Sequence, residues 1–146
     1  MKELDDLIAK LKKFEEEIYQ TIENILREND YIIIDMNVED QLFEKGIDRT
    51  GTEIASYAPY SPVTIQIKRI KGQPTNRVTL RDAGDFHHSF YIEFGKDSFE
   101  IKASDWKTQK LIASYGQEIL GLTDYNFKIL LEDYVAPAIL KILKEI

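Results

Sequence analysis

The sequence predicts an α+β fold, with a long N-terminal helix and a C-terminal helix flanking a small antiparallel β-sheet in one domain over residues 1–146. Three features point there. Apolar residues recur at three-and-four spacing from 3 to 28, which is the period of a helix. Two short stretches, 88–95 and 98–103, alternate apolar and polar residues around a turn. A capping threonine, Thr123, opens a final amphipathic run.

In the first helix, Leu4, Leu7, Ile8, Leu11, Phe14, Ile18, Ile22, Ile25 and Leu26 form one stripe, and Lys and Glu fill the other face. About 25 residues span roughly 37 Å. That is long for so small a domain and leaves one end free to pack on something else. "YIIID", 31–35, is β-branched but too short for periodicity to classify. "NVEDQLFEKG", 37–46, is expected as a helix capped by Asn37, acidic in its first turn and ended by Gly46. Thr50-Gly51 marks a turn in a small hairpin or extended arm.

Ser61-Pro62 is a helix start: serine caps, and proline suits the first helical position. The alternation of Val63, Ile65 and Ile67 also permits a strand, but the cap favours a helix. Val63, Ile67 and Ile70 then share one face and Gly72 closes the helix. A loop at 73–76 leads to a short element, "RVTLRDAG". Phe90, Ile92 and Phe94, then Phe99 and Ile101, mark the inward residues of the hairpin. Asp105 and Gly116 bound a helix, and Pro137 is expected to kink or split the last one.

The 146 residues suit a single domain, and 43% hydrophobic with 31% charged residues suits an ordinary globular chain. Cysteine is absent, which excludes disulfides and thiolate chemistry. No apolar run approaches the roughly 18 residues of a membrane span, and the charged N-terminus does not read as a signal peptide. A net charge of −7 disfavours broad nucleic-acid binding. Yet Ser61 to Arg81 holds no acid and carries Lys68, Arg69, Lys71, Arg77 and Arg81. Such a run is either a solvated face or a candidate interface for an acidic neighbour.

The chemistry candidates concentrate in 82–88. Asp82, Asp85, His87 and His88 have the side chains a divalent metal takes, and a small metal-dependent hydrolase or nuclease is one alternative. Their spacing is no known ligand pattern, and adjacent histidines on a strand point to opposite faces. The expectation is therefore Asp82 as a helix cap, Gly84 as a close backbone approach, and both histidines on the surface. The serines lack a nucleophile-elbow context, and Gly72 and Gly84 stand too far apart to cradle phosphate. Hence no catalytic residue, metal or cofactor is expected.

The order of segments "DRTGTEIASYAPYSPVTIQIKRIKG", "VTLRDAGDFHHSFYIEF", "DSFEIKAS" and "YGQEILGLTDYNFKILLE" resembles the virion-morphogenesis and tail-completion proteins of tailed bacteriophages. A glycine turn precedes a Ser-Pro start and a basic helix. Leu80-Arg81-Asp82-Ala83-Gly84 leads into a strand, and Ile119-Leu120-Gly121-Leu122-Thr123 opens the last helix. The likeness covers about 46–133. Many relatives have Thr-Gly where this chain has Ala83-Gly84, and Tyr115-Gly116-Gln117-Glu118 is a more compact version of its segment. The resemblance implies a non-enzymatic structural subunit of the head-tail connector, neck or tail end. It would form a homo-oligomeric ring, often sixfold, beside other connector or tail proteins. DNA would be passing cargo only, and no membrane would be involved. The place would be the virion, with the host cytoplasm during assembly. A soluble interaction module without a virion role is the other alternative.

Overall fold

The computed structural model describes residues 1–145. Helix α1 runs Lys2–Glu28, with Glu3 and Asp5 in its first turn and Arg27 in its last, each sign complementing the helix dipole. Asn29 interrupts it: φ moves to −114° and its side-chain Nδ2 donates to the Ile25 carbonyl at 2.8 Å. The chain restarts as α2, Asp30–Asp35, and continues without a break as a π-helical stretch, Met36–Lys45. The β-branched "YIIID" is thus helical. Ile33, fully buried, decides it, because packing outweighs a weak local propensity.

Asn37 does not cap, since a helix already runs through it. The wide π turns bring Asn37, Val38, Gln41 and Leu42 all inward. Gly46 ends the stretch at φ 64°, and a Cβ there would meet the Arg77 Cβ at 2.8 Å. The next segment turns at Thr50-Gly51 and makes one antiparallel bridge, Ile47 with Glu53. Helix α3, Pro62–Ile70, is capped as expected: Ser61 Oγ accepts from the Thr64 amide at 3.1 Å. From Gly72 to Asp82 the chain forms no regular element, and Leu80 sits at φ 56°.

A one-turn helix, α4 (Asp85–His88), leads into strands β1 (Phe90–Phe94) and β2 (Phe99–Ala103). They pair antiparallel, with Phe90 opposite Ala103, Ile92 opposite Ile101 and Phe94 opposite Phe99. Asp82 is not the α4 cap, because Gly84 holds that place at φ 96°. After α5 (Thr108–Tyr115), Gly116 stops the helix and Thr123 caps α6, Asp124–Ile129, by accepting from the Asn126 amide.

Pro137 falls where a new helical segment begins, and the run changes helical type there without a gap. A π-helical stretch, Leu130–Val135, joins α6 to α7, Ala136–Lys144. Proline in a regular helix crowds the carbonyl one turn back, and a wide turn before it relieves that crowding.

The core is built from Ile33, Val38, Leu42, Ile54, Ile119 and Leu130 with their neighbours. Side chains of the π stretch clasp the extended segment before α6. Asn37 donates to the Ile119 carbonyl at 3.0 Å and accepts from the Gly121 amide at 2.8 Å. Gln41 donates to the Gly121 carbonyl and accepts from the Thr123 amide, both at 2.9 Å. Two amide side chains thereby satisfy the backbone as a neighbouring strand would.

Candidate functional site

Among the described residues, the basic segment, the histidine turn, the outer face of α3 and the first half of α1 bear most directly on function.

The five basic residues do not form one free patch. Lys68 points inward and is 8% exposed. Its Nζ donates to the Arg81 carbonyl at 3.0 Å and to Gln73 at 3.3 Å, and it lies 4.9 Å from the Tyr60 ring centre. It therefore ties α3 to the following loop. Arg77 donates to the Phe43 carbonyl, and both Arg77 and Arg81 lie over the Phe43 ring. Arg81 also approaches Glu39 at 3.6 Å. Lys71 pairs with Asp82 at 2.7 Å, and that contact holds the Asp82 carboxyl below the usual carboxylate range. Arg69 is exposed and has no ion-pair partner among the described residues. The candidate interface contracts to Arg69 with the outer side of Lys71.

Turning Lys68 inward turns the apolar face of α3 outward. Val63, Ile67 and Ile70 are 66%, 48% and 82% exposed. Spacing showed that they share a face but not which way it points.

His87 is not a surface residue: it is 3% exposed and faces Phe86 and Phe90, while His88 is exposed. The His87 Nε2 lies 2.9 Å from the Thr79 carbonyl, so Nε2 carries the proton and donates. Nδ1 is buried without a partner. Burial pushes the His87 pKa down to about 4 against the weaker opposing pull of that carbonyl. Asp85 is exposed, and Asp82 is held by Lys71 and Gln73. Among the described residues no three His, Asp or Glu side chains gather as metal ligands, so the structure does not bring Asp82, Asp85, His87 and His88 together.

The turn expected at Thr50-Gly51 is there, but sequence spacing missed the buried carboxylate that closes it. Asp48 Oδ1 accepts from the Thr50 amide at 2.9 Å and the Thr50 hydroxyl at 2.6 Å, and the Tyr57 hydroxyl donates to Oδ2 at 3.0 Å. Burial and then this carboxylate raise the Tyr57 pKa to about 12. The Asp-x-Thr-Gly-Thr pattern was the signal for such a side-chain-closed turn. Beside it, Arg49 and Glu118 form a two-pronged ion pair, with Nη2 to Oε1 at 3.1 Å.

The first half of α1 is exposed. Leu4, Leu7, Ile8 and Leu11 are 42–57% exposed, whereas Ile22, Ile25 and Leu26 of the same helix pack on the core. Where α1 meets the body, an apolar groove of about 730 Å³ opens among Ile22, Leu26, Phe94, Phe99, Phe127 and Leu131. No helix among the described residues is long and apolar enough to cross a membrane. Comparisons with family models, with curated proteins and with solved structures give no match.

Proposed function

We propose that this chain is a structural assembly subunit, a head-tail connector, neck or tail-completion protein of a tailed phage that acts as a homo-oligomeric ring. The observation that carries the reading is the exposed apolar stripe of α1, Leu4 to Leu11, on a helix whose other half is anchored in the core. Apolar surface arranged along a projecting helix marks an interaction site rather than scattered surface residues. The exposed stripe on α3 is a second such surface, and a head-to-tail contact between unlike surfaces closes into a ring when its rotation allows. The resemblance of segment order over 46–133 supplies the virion setting, and the net charge of −7 suits a channel that lets DNA pass without holding it.

Light scattering on the purified chain tests the oligomer, with electron microscopy of particles to place it. A native mass several times 17.0 kDa, rising with protein concentration to a closed value, is the expected result. A nuclease assay with magnesium or manganese is expected to show no turnover. Metal-dependent cleavage abolished by His88→Ala would overturn the structural reading.

A further inference from the structure

Taking the ring reading as its basis, we infer that the first three turns of α1 from one copy pack antiparallel on the outer face of α3 of the next. Both surfaces are exposed, and they match in three ways.

The first match is spacing. Leu4, Ile8 and Leu11 stand at i, i+4 and i+7, and so do Val63, Ile67 and Ile70. Each set forms one straight stripe about 10 Å long. Laid antiparallel, Leu4 meets Ile70, Leu7 and Ile8 meet Ile67, and Leu11 meets Val63.

The second match is charge. At about 100° per residue, Glu3 and Asp5 flank the α1 stripe on either side in its first turn, while Lys2 and Asp6 lie behind it. Arg69 and Lys71 flank the α3 stripe at its C-terminal end. Only the antiparallel arrangement sets the acidic flanks on the basic ones. Lys10 and Lys12 then fall beside Ser61 and Pro62, where α3 carries no charge of its own. Glu3, Asp5 and Arg69 have no ion-pair partner among the described residues, whereas Lys71 already holds Asp82 and offers only its outer side.

The third match is dipolar. The α1 N-terminus is the positive end of its dipole, and it would lie against the negative C-terminal end of α3. A parallel arrangement would instead bring Lys10 and Lys12 against Arg69 and Lys71. The inferred contact uses different surfaces on the two copies, so it is heterologous and can propagate around a ring.

The chain has no cysteine, which permits a clean cross-linking test. Leu4→Cys and Ile70→Cys chains, each shown to assemble, are mixed and oxidised. The expected product is a disulfide between the two variants. A disulfide within the Leu4→Cys sample alone would show that α1 arms pair with each other, and would overturn the inference. No disulfide in an assembled mixture would also overturn it.

A charge series gives a second readout. Arg69→Glu is expected to raise the protein concentration at which the oligomer dissociates by roughly tenfold. Adding Glu3→Lys and Asp5→Lys to the same chain should restore most of that loss. If wild-type protein forms rings and neither readout responds, this contact is wrong and the ring reading stands. If wild-type protein stays at 17.0 kDa at every concentration, both fall.

Discussion

Lys68 and Arg69 are adjacent and basic, yet they do opposite things. The Lys68 side chain is buried, and its Nζ is engaged by the Arg81 carbonyl, Gln73 and the Tyr60 ring. Lys68→Glu should destabilise the fold by about 2–4 kcal/mol, since it leaves a carboxylate facing a carbonyl in a buried place. Arg69→Glu should leave the unfolding midpoint nearly unchanged; urea titration of the two variants separates them. His87 makes a pH prediction. Its folded pKa of about 4 lies below the ordinary 6.5, so between those values only the unfolded chain takes up the proton. Stability is therefore complete above about pH 6.5 and falls as pH drops toward 4, by on the order of 3 kcal/mol. Melting curves across that window check it, and His87→Gln should flatten the slope. Gly84, at φ 96° with His88 3.2 Å from where a Cβ would stand, predicts a loss of about 1–3 kcal/mol in Gly84→Val. Local grammar reaches Gly84, because an isolated glycine before a strand asks for special backbone. It does not reach Lys68 or His87. Their burial is set by a loop that returns from Thr79 and Arg81, and sequence patterns place charge and imidazole outside by default.

Among the elements, those specified by neighbours in sequence were legible. Ser61 and Thr123 cap as read, since a cap needs only the amide three residues on. The hairpin is legible from its alternation, which fixes the faces, whereas its register, Phe94 opposite Phe99, is set by the short turn. Asn37 was misread for the opposite reason. Its side chain looks like a cap, but its partners are Ile119 and Gly121, far along the chain. The "YIIID" run was undecidable for a related reason: only tertiary burial of Ile33 selects helix over strand. The clasp that Asn37 and Gln41 make is open to a direct test. Gln41→Leu removes the partners of the Gly121 carbonyl and the Thr123 amide at once. Chemical denaturation should show a loss of about 2–4 kcal/mol, because buried backbone groups without partners carry their full desolvation cost.

At the scale of the whole molecule, the fold class and the single long helix were legible, and the outward turn of α3 was not. That turn changes what the surface offers, from a broad basic face to an apolar stripe with a basic end. The body and the first half of α1 also differ in how they are held. Residues 2–13 of α1 are all exposed, so tertiary burial adds little to them, and about a dozen residues of weakly packed helix are marginal in water. Their amide protons should therefore exchange with solvent within seconds to minutes, while those of Ile33 and Leu42 wait for global opening. Far-ultraviolet ellipticity should decline gradually on warming before the sharp transition of the body. In assembled particles that early decline should vanish and the exchange should slow, so the arm acts as a built-in reporter of its own engagement.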